Sequence, residues 1–333
     1  MFFLKKKKKF ILHIGTNKTG TTAIQSFLYN NSQQIRNLGF SYPDFGIHNH
    51  GHHNLARLLK GAKPDSLNIE SNWRNKLKFE LKNNLKKIIS SELFHRFENP
   101  KDLFKFFPRN ETLVVLYIRE HLEYLMSWYQ QAVQLRNITC SFKEYIDFHY
   151  CQLDYDNLIS KWIAAYGRAN VKIEVFDKNN FKNNNIIEDF CEKISIPFNS
   201  TKPLKKVSNK SIAGNLLFFK LLINNFIEDD NDYRLAYEIS RLSDLDPSFS
   251  GKINTDTETR DAIRKKYRNQ RYKLKLKYGL NFNLSNLQNS NKNYFNLDNI
   301  DNDFDKIIRF SKKNNFKLFK SVPKFLLDKY MIK

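Results

Sequence analysis

The sequence predicts an α/β fold in three layers: a central parallel sheet flanked by helices, followed by a mainly helical part from about residue 205. Two observations carry this. Short apolar runs recur between helical patterns, and several lack alternation, as strands buried on both faces do. Beyond residue 205 the apolar residues fall at helical spacing instead. A chain of 333 residues with 41% hydrophobic and 14% aromatic residues can fill a sizeable core, which excludes wholesale disorder.

Taken in order, Phe10-Ile11-Leu12-His13-Ile14 reads as a buried strand ending at Gly15. Gly20-Thr21-Thr22 opens a helical pattern through Ile24, Phe27 and Leu28. Residues 39–43 read as a short second strand, followed by a loop with His48, His50, His52 and His53. Leu55, Leu58 and Leu59 space as a helix, and so do Trp73, Leu77, Leu81 and Leu85. Residues 87–92 form a strand with a polar end, and residues 113–118 are the clearest buried strand. Helices are expected over residues 121–135, 142–149 and 158–166, then a last strand over 171–176. Residues 216–226, 234–242 and 257–278 read as helices. Residues 1–280 are therefore assigned to one domain, and 281–333 to an Asn-rich linker and a basic C-terminal segment. Phe316, Leu318, Phe319, Phe325, Leu326 and Leu327 suit either a helix packed on the domain or a surface-binding tail.

Lys and Arg number 56 against 34 Asp and Glu, a net charge of +22. The basic residues are 41 Lys and 15 Arg, beside 40 Asn. Lys, Asn, Phe and Ile have A/T-rich codons, so genome base composition supplies one source of this charge. The other is an anionic partner: phosphate, sulfate, nucleic acid or an acidic membrane. Cys140, Cys151 and Cys191 form no CxxC pair and have no His at zinc spacing, so neither a disulfide framework nor a metal site is expected. Met1 to Leu4 with the following lysines, Lys5 to Lys9, do not make a secretory signal, and no run approaches the ~20 apolar residues of a membrane span. The expectation is a cytoplasmic protein with no transmembrane segment. Its lysine run is a solvated tail or a contact for an anionic membrane surface.

Gly15-Thr16-Asn17-Lys18-Thr19-Gly20-Thr21-Thr22 joins the first strand to the first helix. There, backbone N–H groups and the helix N-terminus can surround an anion. Glycine permits close approach of the backbone, threonine adds hydroxyl donors, and Lys18 adds a mobile charge. Asn17, Lys18, Thr19, Gly20, Thr21 and Thr22 are assigned to phosphate binding on this basis. The loop differs from a Walker A motif, whose lysine follows the second glycine. Thr21 stands at that place, and the lysine lies two residues before Gly20.

Lys18-Thr19-Gly20-Thr21-Thr22 resembles the K-[ST]-G-T-T 5′-phosphosulfate loop of sulfotransferases that use 3′-phosphoadenosine 5′-phosphosulfate (PAPS). The stretch from Ile14 to Ile24 is similar to heparan-type carbohydrate sulfotransferases. The resemblance covers about residues 10–200 and implies a P-loop-type fold with PAPS as co-substrate. Ala23 stands where cytosolic sulfotransferases usually carry an adenine-contacting Trp, so the adenine contacts are unassigned. In the resembled family the 3′-phosphate is held by an Arg after a central strand and a Ser eight residues on. Here these positions are Arg119 and Ser127. The plain reading of Arg119 is an i,i+4 pair with Glu123. Ser127-Trp128-Tyr129-Gln130 again resembles the heparan-type enzymes, but the His that often follows is Gln131 here.

Sulfuryl transfer needs an in-line nucleophile, stabilised charge, help for the leaving phosphate and a general base for the acceptor. The resemblance places the base near the end of the strand before the Arg-bearing one, where Glu92 stands. The rival source is His52 or His53, since free imidazole titrates at pH ~6.5. Lys18 is the candidate for stabilising the bridging oxygen. No metal is required. Asn209-Lys210-Ser211 sits where a late loop completes the nucleotide site, or Ser208 or Ser211 caps a helix. The expected activity moves a sulfuryl group from PAPS to a hydroxyl or amine, on a glycan, with no nucleic-acid partner. The alternatives are a P-loop small-molecule kinase, or a non-enzymatic basic module for nucleic acid or membrane surfaces.

Overall fold

A computed structural model describes residues 8–135, 138–148, 153–198, 211–227, 233–284 and 295–331. The elements begin with β1 (Phe10–His13), α1 (Thr21–Asn30), α2 (Ser32–Asn37), β2 (Phe40–Ser41), α3 (His53–Leu59), α4 (Trp73–Leu81) and β3 (Lys86–Ser90). Next come β4 (Thr112–Ile118), α5 (His121–Leu135), α6 (Phe142–Phe148), α7 (Tyr155–Tyr166), β5 (Val171–Val175) and α8 (Ile186–Ile194). The C-terminal helices are α9 (Gly214–Ile223), α10 (Tyr233–Leu242), α11 (Thr257–Lys266), α12 (Arg268–Tyr278), α13 (Ile300–Lys313), α14 (Lys317–Lys320) and α15 (Lys324–Met331).

The sheet runs β2-β3-β1-β4-β5, and every pairing is parallel. Leu12 of β1 sits between Ile89 of β3 and Val114 of β4. On one face, Ile11, Ile88, Val115 and Tyr117 meet Ile24 and Leu28 of α1 and Phe190 and Ile194 of α8. On the other, α7 packs against β4 and β5, and Leu12, Val114 and Leu116 are fully buried. Continuous apolar runs were expected to mark strands covered twice, and this α/β sheet between helices meets that expectation. The chain leaves β1 toward β3 on one side and β4 on the other. Its C-terminal edge there is a topological switch point, where open α/β sheets bind ligands.

Two stretches differ from the sequence reading, and in a third the structure takes one of its two alternatives, the packed helix. Helix α8 was not anticipated, although Asn185 caps it and Ile186, Ile187, Phe190, Cys191 and Ile194 follow helical spacing. The helix expected over 257–278 is broken at Tyr267, whose ring is buried and stacked on His121 at 4.1 Å. Residues 300–331 fold as α13, α14 and α15. Phe304 of α13 meets Phe219 of α9 edge-on at 5.1 Å. Asn215 donates to Asp303 Oδ2 at 2.7 Å, and Glu238 accepts the Lys317 and Leu318 N–H groups at 2.8 and 2.9 Å, capping α14.

The described residues fall into two compact units. The first draws on residues 1–120, 154–204 and 269–283 and holds the sheet; the second draws on 121–153, 205–268 and 284–333. Among the described residues no helix is long and apolar enough to cross a membrane.

Leu12 is completely buried at the sheet centre, whereas Phe79 on α4 is 78% exposed. We expect Leu12→Ala to cost about 2–5 kcal/mol and Phe79→Ala less than about 0.5 kcal/mol in urea unfolding. Equal costs would contradict this assignment of the core.

Candidate active site

The loop after β1 is held by the neighbouring strand. The Ile14 N–H donates to the Val115 carbonyl at 3.0 Å, and the Thr16 N–H and hydroxyl both donate to the Tyr117 carbonyl at 3.1 Å. The Thr19 hydroxyl turns inward and donates to the Thr16 carbonyl at 2.6 Å. Lys18 (φ 63°) and Gly20 (φ 73°) adopt left-handed backbone, so the chain folds tightly before α1. Gly20 opens α1, its carbonyl accepting the Ala23 and Ile24 N–H groups at 3.0 and 3.2 Å. No side chain caps this end, and its first turn carries no acid. The Thr21 and Thr22 N–H groups have no acceptor within the helix and point where a negative charge is favoured.

Both glycines are also required by contact. A Cβ on Gly15 would meet His13 Nε2 at 2.9 Å and Thr21 Cγ2 at 3.0 Å. A Cβ on Gly20 would meet the Phe176 ring at 2.9 Å.

Arg119 follows β4 directly. Its Nη1 donates to the Lys18 carbonyl at 3.2 Å, its guanidinium lies 5.4 Å from the Phe176 ring centre, and its own carbonyl accepts the Tyr155 hydroxyl at 2.9 Å. Burial, and then the Arg119 charge, push the Lys18 ammonium down to about 8. Two cations thus crowd the same partly desolvated loop, an arrangement that an anion relieves. Around them, Asn17 is half-buried, Thr19 and Thr21 are buried, and Thr22 is exposed. Ser127 is buried on α5, in the second unit. There, Glu123 pairs with Lys252 at 2.7 Å. Asn209 and Lys210 lie outside the described residues; the Ser211 carbonyl accepts the Gly251 N–H at 3.1 Å.

Glu92 opens a 3-10 turn (Glu92–Arg96) at the end of β3, capped by Ser91, whose Oγ accepts the Leu93 N–H at 3.2 Å. Gln25 Nε2 donates to Glu92 Oε2 at 3.1 Å. His53 Nδ1 lies 3.8 Å from the same oxygen and 2.8 Å from Ser91 Oγ. Glu92 and His53, weighed as rivals for the base, therefore stand together. Burial lowers the His53 pKa, and the Glu92 carboxylate opposes that shift.

His52 does not suit the role of base. It is fully buried; its Nδ1 accepts the Ser90 N–H at 3.2 Å, so its Nε2–H donates to the Pro43 carbonyl at 2.8 Å. Neither nitrogen is left for an acceptor's proton. Asn49 and His50, both at positive φ, form the tight turn between His48 and Gly51. His50 hydrogen-bonds Ser26 Oγ at 3.0 Å and stacks on Tyr29 at 4.8 Å, so the loop is pinned to α1. Among the described residues no group of three His, Cys, Asp or Glu is placed to hold a metal.

Three residues of this region were not singled out from sequence. His13 is fully buried; its Nδ1 is hydrogen-bonded to Ser90 Oγ at 2.8 Å, and its Nε2 reaches beneath Gly15. Gln25 lies one turn beyond Thr21 on the buried side of α1, a spacing the sequence does display. Phe176 closes the loop from the end of β5.

No family model matches the chain. It is 27% identical over 129 residues, 38% of its length, to an uncharacterized protein of Archaeoglobus fulgidus; the matched stretch spans about a third (34%) of that relative. Among solved structures it is similar to a sulfotransferase from Alicyclobacillus acidocaldarius, at 12% identity and a TM-score of 0.48. The similarity covers 85% of this chain and 99% of that one.

Burial pushes the His13 and His52 imidazoles down to about 3 and about 4. The unfolded chain takes up these protons at pH ~6.5. The stability they contribute is complete above that pH and is lost as pH falls from there toward the folded values. Each should cost about 1.4 kcal/mol per pH unit across the window. His52→Asn should make the fall in urea midpoint between about pH 6 and 4.5 shallower; an unchanged slope would contradict a neutral, buried His52.

Proposed function

We propose that the chain is a PAPS-dependent sulfotransferase, moving a sulfuryl group to a hydroxyl or amine of a carbohydrate acceptor. One observation carries the reading. Lys18 and Arg119, 101 residues apart in sequence, are joined at one uncapped helix N-terminus at the switch point of a parallel sheet. The fit is one of charge and shape: two cations, free N–H donors, no acid in the first turn, and glycine where the backbone is approached most closely.

PAPS, when bound, supplies the activated sulfuryl group. The Thr21 and Thr22 N–H groups, with Asn17, Thr19 and Gly20 shaping the loop, hold its 5′ end. The Lys18 ammonium stabilises negative charge growing on the bridging oxygen as the leaving phosphate departs. Arg119 presents a planar fork to the 3′-phosphate. Ser127 is proposed as its hydroxyl partner on its spacing from Arg119. Glu92, beside His53, takes the acceptor's proton. The carbohydrate class rests on the likeness of residues 14–24 and 127–130 to heparan-type enzymes. A kinase reading lacks the Walker lysine, whose place Thr21 occupies.

The test is transfer of labelled sulfate from PAPS to a panel of glycans. Lys18→Ala and Arg119→Ala should each abolish transfer while leaving the thermal melt near that of the parent. Transfer that survives either change would sink this assignment. The pH dependence supplies a second check. Lys18 must be protonated to pair with an anion, so nucleotide affinity should weaken as pH rises through about 8. Lys18→Arg should flatten that dependence.

A further inference from the structure

The carboxylate at the end of β3 is held on one oxygen only. Glu92 Oε2 accepts the Gln25 amide at 3.1 Å and faces His53 Nδ1 at 3.8 Å. Oε1 has no hydrogen-bond donor among the described residues. Gln25 is itself almost fully buried and belongs to α1, the helix that begins at the phosphate loop. His53 opens α3 and is held by Ser91: its Nδ1 lies 2.8 Å from Ser91 Oγ, which already accepts the Leu93 N–H and can accept the Nδ1–H as well. Gly51 fits between these two side chains: a Cβ there would meet His53 Nε2 at 2.7 Å and the Gln25 amide carbon at 2.8 Å.

We infer that Gln25 and His53 are positioning residues for Glu92. The Gln25 amide holds Oε2 by a hydrogen bond and His53 faces it at 3.8 Å, so that Oε1 alone is presented to the acceptor, and this clamp ties Oε2 to the helix carrying the phosphate loop. The inference rests on the reading of Glu92 as base and goes beyond it. It gives the loop helix a second task, because the donor site and the proton acceptor then share one rigid element. A carboxylate free to rotate would present either oxygen, losing the orientation that proximity catalysis needs. An amide donor to a carboxylate also favours its charged form, the form a base must hold. The other charged or titratable groups around the pair are His48 on the tight turn, Arg57 on α3, Tyr42 after β2 and His95 on the same 3-10 turn.

Two measurements test this. The first uses the protein without substrate: the His53 ring is titrated by NMR in the parent, in Glu92→Gln and in Gln25→Leu. Loss of the carboxylate should move the His53 midpoint to lower pH, because the charge that opposes its desolvation is gone. Gln25→Leu should move the midpoint as well, since Oε2 is released from the amide. The second is kinetic. Gln25→Leu should lower kcat about tenfold or more, as expected for losing a hydrogen bond to a charged group, with KM for PAPS little changed. The acidic limb of its pH–rate profile should move to higher pH. A merely structural role for Gln25 predicts a lower melting temperature with the profile unmoved.

An unshifted His53 midpoint in Glu92→Gln, or a parental pH–rate profile in Gln25→Leu, overturns the clamp. If Gln25→Leu does not fold, the His53 titrations of the parent and Glu92→Gln still decide. If the parent transfers no sulfate to any acceptor, the proposed function fails, and the substrate-free titrations judge the clamp separately.

Discussion

Everything at the candidate site follows from the pairing of β1 between β3 and β4. Parallel strands end at the same edge of a sheet, so three loops distant in sequence meet there: the phosphate loop after β1, Ser91 and Glu92 after β3, and Arg119 after β4. The register is fixed by burial on both faces. A slip of one residue would exchange Leu12 for His13 in the apolar layer and reverse every neighbouring side chain. That slip would also cost the hydrogen bond between His13 and Ser90, which ties the phosphate loop's strand to the strand that ends at Glu92.

Two of the 56 basic residues, Lys18 and Arg119, are brought together on this frame. A net charge of +22 would draw many anions weakly. Lys18 and Arg119 differ from the remaining basic residues because the fold brings them together at a helix N-terminus and partly removes them from water. Desolvation strengthens their attraction for an anion and penalises the site without one. Glu92 follows β3 at the same end of the sheet, and its carboxylate accepts a hydrogen bond from the buried Gln25. Under the proposed function, the cradle stabilises charge on the transferred group and Glu92 takes the acceptor's proton.

The legible parts of this protein were those written in consecutive residues. The apolar runs of β1 and β4, the Gly-Thr-Lys loop and the arginine ending β4 each carry their signal within a few positions. The parts that escaped depend on register between distant segments. His13 reads as an ordinary member of an apolar strand until β3 places Ser90 beside it. His52 and His53 are adjacent and chemically identical. Only the path of the chain into α3 sends one to the Pro43 carbonyl and the other to Glu92. Gln25 shows a buried spacing, but its partner lies 67 residues away. Helix α8 was hidden by the Asn-rich stretch before it, which suggests loop and in fact supplies its cap. The apolar spacing of the basic C-terminus left a packed helix and a surface tail both open, and Phe304 of α13 against Phe219 of α9 decides for packing.

The proposed cradle recognises a nucleotide with anionic groups at both its 3′ and 5′ positions. Calorimetric titration of the intact chain with 3′,5′-ADP and with ATP–Mg²⁺ tests it most directly. 3′,5′-ADP should bind more tightly, and Arg119→Ala should remove most of that preference. Tighter binding of ATP–Mg²⁺, with no gain from a 3′-phosphate, would contradict it.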